Sequence, residues 1–142
     1  MITFTNIRNV SYEAFDEVWA IVRSIKPNSN FIQVQALSPS YSLFQEYRRL
    51  SAMGSWNKLA FDKVYVPRFL REMCNAEARR KLNELYVKDL QGKNICCFCF
   101  CEDEETCHRS IEAGLLQGAG CNVVGVSKDY SFYYQMWKEL QK

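Results

Sequence analysis

From Ile95 to Cys101 the chain reads Ile-Cys-Cys-Phe-Cys-Phe-Cys, an apolar run without interruption. Gly92-Lys93-Asn94 precedes it and the acidic cluster Glu102-Asp103-Glu104-Glu105 follows it. A strand with one wet face alternates polar and apolar side chains, and this one does not. Its length and its flanking breakers predict a strand covered on both faces, as at the centre of a parallel sheet. Parallel neighbours can be joined only by crossovers, so helices are expected on both sides of that sheet.

The rest of the chain supplies such elements. Ile2, Phe4 and Ile7 predict an N-terminal strand. Ser11 as N-cap, then Ala14, Phe15, Val18, Trp19, Val22 and Ile25 at helical spacing, predict a helix ended by Pro27-Asn28-Ser29-Asn30. Residues 31–36 read as a second strand, 43–53 as a helix stopped by Gly54, and 67–73 as a short helix opened by Pro67. Leu82, Leu85, Tyr86 and Leu90 mark an amphipathic helix between Asn75 and Gly92. After the buried strand come a helix over 107–117, a short strand over 121–126 and an aromatic-rich helix over 132–140. The expected fold is α/β: a small three-layer, Rossmann-like domain with a mostly parallel central sheet, residues 1–142 forming one unit.

Charge narrows the partners. Lys and Arg total 18 against 16 Asp and Glu, a net charge of +2 with no sustained basic run, which does not suit a dedicated duplex-DNA binder. Arg79-Arg80-Lys81 lies between Glu77 and Glu84 and reads as a solvated helix face. No apolar stretch is long enough to cross a bilayer, so no membrane partner is expected. The first residues lack the basic and apolar regions of a secretion signal. Of the 7 cysteines, Cys96, Cys97, Cys99, Cys101 and Cys107 crowd together rather than closing loops as in a secreted disulfide scaffold. A reducing, cytoplasmic setting is expected, which leaves the cluster for packing, metal binding or reactivity.

The chemistry concentrates between Cys101 and Arg109, where the buried strand runs into the next helix. Open α/β sheets bind ligands at the carboxyl ends of strands, beside the unpaired amides of helix N-termini. Cations in a first helical turn oppose the dipole unless an anion joins them. A phosphate held by Arg109 and the amides gives that relief; carboxylates from Glu102, Glu104 or Glu105 are the protein-only alternative. His108, the single histidine, can act as general acid or base. Cys107 beside it has the surroundings of a lowered thiol pKa and a nucleophile. Glu102 can orient His108 or move the proton itself. Cys96, Cys97 and Cys99 read as small buried hydrophobes, whereas Cys101 at the strand end can turn toward the site. Zinc on Cys99, Cys101, Cys107 and His108 is possible on paper, but the spacing lacks the Cys-x2-Cys knuckles of common zinc sites, so no metal is expected. Tyr41, Trp56, Tyr65 and Tyr130 can stack on bases where exposed.

The block from Cys101 to Ser110, preceded by a hydrophobic strand and followed by a helix and the Gly120-x-x-Val123 turn, resembles the domain-of-unknown-function 488 (DUF488) family. Its members carry a strand ending in Cys-x-Glu, a short acidic loop and Cys-His-Arg at a helix start. The likeness continues through Ala36-Leu37-Ser38-Pro39-Ser40, similar to the loop after the family's second strand. It also takes in Trp56 to Met73, similar to the middle of short phage and bacterial members. The resemblance implies a small α/β fold and assigns Cys101, Glu102, Cys107, His108 and Arg109 to the family motif. Relatives carry Asp-x-Arg near the end of an early strand; here Asn6-Ile7-Arg8-Asn9 is its counterpart, which keeps Arg8 and loses the carboxylate. The expected ligand contacts are therefore Arg109, Cys101, Arg8 and Ser38, and the catalytic candidates are His108, Cys107 and Glu102. The expected partner is an anionic small molecule or a nucleic-acid phosphate. An enzyme on a nucleotide or nucleic acid, or a binding module without chemistry, would both use it. No cofactor can be named.

Overall fold

The computed structural model describes all of residues 1–142. The apolar run forms β4, Ile95–Cys99, with all five side chains buried. It lies at the centre of a five-stranded sheet, between β1 (Ile2–Asn6) and β2 (Glu17–Ala20). Two-residue strands close the edges: β3 (Ile32–Gln33) beside β2 and β5 (Val123–Val124) beside β1. Every pairing is parallel, with Cys99 opposite Asn6 and Phe98 opposite Ala20. Strand alternation puts Ile95, Cys97 and Cys99 on one face of β4, and Cys96 and Phe98 on the other.

The helix expected over Ser11 to Ile25 is not there. Only a 3-10 turn, Tyr12–Ala14, forms after Ser11, and the chain then extends into β2. The reason is that Val18, Trp19, Ala20, Ile21 and Val22 are all buried. A helix would turn part of that run to solvent, whereas a strand inside the sheet buries both faces and suits β-branched and aromatic residues. The second expected strand shrinks to β3, and Gln35–Leu37 turns as 3-10.

The remaining helices lie where periodicity places them. Ser40 caps α1 (Tyr41–Ala52), its Oγ accepting from the Leu43 amide at 3.1 Å. A continuous helical run follows: α2 (Lys58–Ala60), a π-helical turn over Phe61–Tyr65, and α3 (Val66–Glu72). Pro67 has no N–H to add to the ladder, and the hydrogen-bond register widens just before it. Asn75 caps α4 (Ala76–Leu90), and its Arg80 and Lys81 pair with Glu77 and Glu84 of the same helix. The last helices are α5 (His108–Gly118) and α6 (Phe132–Leu140). No helix is long and apolar enough to cross a membrane.

Together these elements make the expected α/β architecture, a parallel central sheet flanked by helices. α4 packs on β4, while α5 packs on β1 and β5 and carries α3 and α6 against it. The approach of α6 is close because α5 offers glycines: a Cβ at Gly114 would overlap the Tyr130 carbonyl, and one at Gly118 the Tyr134 side chain. The topology also fixes where a ligand can enter. Beyond β2 the chain turns outward to β3, and beyond β4 it turns the other way into α5. The diverging loops leave a crevice at the carboxyl ends of β2 and β4.

Candidate functional site

A cavity of about 660 Å³ opens in that crevice. This is the size of a small-molecule site. Val22, Arg23 and Ser24 beyond β2 form one wall; Tyr41, Phe44, Tyr47 and Arg48 of α1 form another. Trp56 and Tyr65 close the side, and Cys99, Cys101, Cys107 and His108 make the floor. The aromatic rings are linked from rim to floor. Trp56 meets Tyr47 edge-on at 4.8 Å and Tyr65 at 5.8 Å; Tyr65 stacks on Phe69 at 5.9 Å, and Phe69 touches the His108 ring at 5.6 Å. The π-helical turn places Tyr65 in this chain.

Two cations sit on this wall. Arg23 lies over the Tyr41 ring and donates to the Pro39 carbonyl at 3.3 Å; Arg48 lies over the Phe44 ring. Neither pairs with a carboxylate; of the arginines outside the cavity, Arg8, Arg49 and Arg80 do, and Arg68, Arg71 and Arg79 do not. The acids of the loop after β4 are held elsewhere. Glu102 pairs with Arg8, Glu105 with Lys128, and Asp103 accepts from the Glu105 amide. Glu104 accepts from the Ser127 amide and hydroxyl and from the Tyr130 hydroxyl at 2.6 Å. None of the four lines the cavity.

The floor is a cluster of sulfur atoms. Cys99 ends β4, Cys101 follows the turn, and Cys107 precedes α5; their Sγ atoms all lie within 4.8 Å of one another. Cys99 and Cys107 are the closest pair at 3.2 Å. Asn6 fixes the turn, its Nδ2 donating to the carbonyls of Phe100 (3.1 Å) and Cys101 (2.8 Å). Hydrogen bonds from Cys101 and Cys107 hold the Cys99 thiol well below the usual range, against burial and with help from His108 and Arg109. Cys101 is pushed up to about 12: the pull from Cys107 is outweighed by its bond to Cys99 and by burial. Burial raises Cys107 well above the ordinary thiol.

Two side chains of α5 brace the cluster. The buried Arg109 directs Nη1 at the Cys101 carbonyl (2.6 Å) and at Cys99 Sγ (3.3 Å), with Cys107 Sγ at 4.0 Å. His108 donates from Nε2 to the Ile21 carbonyl at 2.7 Å. In the neutral ring that bond leaves the Nδ1 lone pair free, 3.7 Å from Cys107 Sγ. One turn further on lies Glu112, fully buried, with neither carboxylate oxygen accepting a hydrogen bond. Its nearest basic atom is His108 Nε2 at 4.0 Å, and burial holds its pKa well above the carboxylate range.

Of the residues picked from the sequence, Cys101, Cys107 and His108 meet at the cavity, as do Tyr41, Trp56 and Tyr65. Arg109 is at the same junction, but its guanidinium is taken up beneath the floor. Glu102 and Arg8 pair with each other in solvent, and the Ser38 hydroxyl donates to the Gln35 carbonyl at 2.6 Å. Tyr130 is buried against Glu104, away from the cavity. The sequence reading named Cys99 as packing and as one of four possible zinc ligands, and Asn6 as the counterpart of the family's Asp; it missed Arg23, Arg48 and Glu112. Glu112 alone left a local trace, as a charge inside the apolar stretch Ile111 to Leu115.

Comparison with known proteins gave no match among the curated proteins and none among the solved structures. One family model does match, over residues 5–120: DUF488-N3a, described as the active DUF488-N3 subclade. That span contains the end of β1, β2 to β4, the cavity and the whole sulfur cluster. The chain belongs to the DUF488 family.

Proposed function

We propose that the cavity binds an anionic ligand with a planar ring, of the nucleotide class, and that the protein is an enzyme acting on it. The ring lies among Tyr41, Tyr47 and Trp56, and the phosphate is met by Arg23 and Arg48. The observation that carries this reading is the pair of arginines without carboxylate partners on an aromatic wall. Guanidinium forks match phosphate oxygens, and rings stack on a base whatever its identity. The acidic loop does not oppose it, because its carboxylates are tied away from the cavity.

Catalysis is supported by what lies at the far end of the cavity. A ligand anchored at the arginines brings its opposite end to Cys101, Cys107 and His108, the last two from the Cys-His-Arg sequence at the start of α5. His108 has one nitrogen fixed by Ile21 and the other facing the Cys107 sulfur at 3.7 Å, where it can take a proton. The description of the matching subclade as active points the same way. A non-catalytic nucleotide-binding module would use the same wall and return its ligand unchanged.

Calorimetry with a panel of mono- and dinucleotides and short oligonucleotides tests the reading, with chromatography of each mixture for turnover. Arg48→Ala is expected to weaken the best ligand about 10–100-fold, the loss of a charge-assisted contact of roughly 1.5–3 kcal/mol. Arg8→Ala is expected to change nothing. A panel that binds the Arg23→Ala and Arg48→Ala proteins as well as the parent would refute the assignment.

A further inference from the structure

We propose that Cys99, Cys101 and Cys107 bind one zinc ion as thiolates, with the fourth position open to the cavity. The proposal stands on the sulfur geometry and does not depend on the ligand assigned above. Three sulfurs from three short segments converge within 4.8 Å. Tetrahedral zinc with Zn–S near 2.3 Å sets its sulfurs ~3.8 Å apart, within the spread seen here. Thiols are weak hydrogen-bond partners, so packing alone gives no reason for three of them to converge at the end of a strand. Cys96 and Cys97, earlier on the same strand, are buried without joining the cluster.

Charge supports the ion. Three thiolates and one divalent cation leave a net charge of −1, and a buried site needs that charge answered. Arg109 answers it, its Nη1 standing 3.3 Å from Cys99 Sγ and 4.0 Å from Cys107 Sγ. Its second contact, to the Cys101 carbonyl, fixes the guanidinium and the turn carrying the third sulfur. Such outer partners orient first ligands and tune the metal in protein sites. Soft sulfur donors select zinc over magnesium or calcium. All three cysteines border the cavity, so the remaining position is filled from it, by water or by a donor atom of the bound molecule. Three protein ligands and an open place are the arrangement of a catalytic rather than a structural zinc.

The test uses the full chain, purified under reducing conditions. Elemental analysis is expected to give one zinc per chain. Titration of the metal-stripped protein with cadmium is expected to produce a sulfur-to-cadmium ultraviolet band that saturates at one equivalent. Cys99→Ser, Cys101→Ser and Cys107→Ser should each lower that band, two thiolates remaining in each, and Cys96→Ser should keep it whole. Arg109→Gln, a positioning change, is expected to weaken zinc about 10–100-fold while the band shape stays. A reduced parent protein with no band at one equivalent overturns the proposal, and folding of variants does not enter that result. So does a Cys96→Ser protein whose band falls as far as that of Cys101→Ser. Nucleotide binding is read separately: an Arg48→Ala protein with a normal band but no ligand speaks only to the wall of the cavity.

Discussion

Glu112 is the side chain with least support in the molecule. It is fully buried, neither oxygen accepts a hydrogen bond, and burial lifts its pKa well above the ordinary carboxyl value. The folded state therefore keeps a proton that the unfolded chain releases, so stability falls as pH rises from the unfolded pKa toward the folded one. Glu112→Gln removes that dependence while keeping the shape. The variant is expected to match the parent near pH 4 and to exceed it at pH 8. Thermal melts across that range check it; parallel curves for the two proteins would show that the carboxyl does not titrate through folding. Other residues show what a sequence can convey at this scale. Cys101, Cys107 and His108 were legible because a strand end and a helix start flank one short loop. Cys99 entered only through a zinc set that the spacing argued against: alternation gives the face of a strand residue, but not whether a later segment returns over it. Arg109 lies at the junction that the sequence marks, and its guanidinium is engaged there by the carbonyl of Cys101 and the sulfur of Cys99, which no sequence pattern announces.

At the scale of elements, the packing of α6 on α5 depends on two missing side chains. Gly to Ala within a helix ordinarily gains about 1 kcal/mol. At Gly114 the added methyl would meet the backbone carbonyl of Tyr130, which cannot rotate away, and overpacking costs roughly 1–3 kcal/mol. At Gly118 it would meet Tyr134 Cβ at 2.1 Å, an atom that turning the ring does not move. Gly114→Ala and Gly118→Ala are therefore both expected to destabilise the protein, as measured by urea unfolding. A variant at either position as stable as the parent would show that α6 does not lie this close to α5. The same contrast between pattern and surroundings explains the one element misread from sequence. Val18, Trp19 and Val22 recur at helical spacing, yet Ala20 and Ile21 between them are buried too, which a helix on a sheet surface does not allow. The two-residue edge strands were oversized in the sequence reading for a related reason. Apolar residues continue past β5 to Val126, but β1 pairs only with Val123 and Val124.

Across the whole molecule, the cavity has a firm floor and a lightly held wall. β4 is paired on both edges and buried along its length, and α5 is buried from His108 to Leu116. α1, which carries Tyr41, Tyr47 and Arg48, buries only Leu43. Local opening follows buried contact and hydrogen bonding, so amide exchange is expected to be slowest in β4 and α5 and faster in α1. The two proposed ligands should then act on different parts. Zinc ties the end of β4 to the start of α5, segments already ordered, and is expected to add protection from Cys99 to Arg109. A nucleotide held by Arg48 and the aromatic wall is expected to slow exchange mainly in α1 and around Trp56. Mass-resolved exchange of the metal-stripped, zinc-loaded and ligand-saturated chain measures all three states. Ligand protection confined to β4, with α1 unchanged, would mean that the arginine-bearing wall takes no part in binding. A zinc effect spread evenly over the sheet would mean that the metal binds outside the three-sulfur floor.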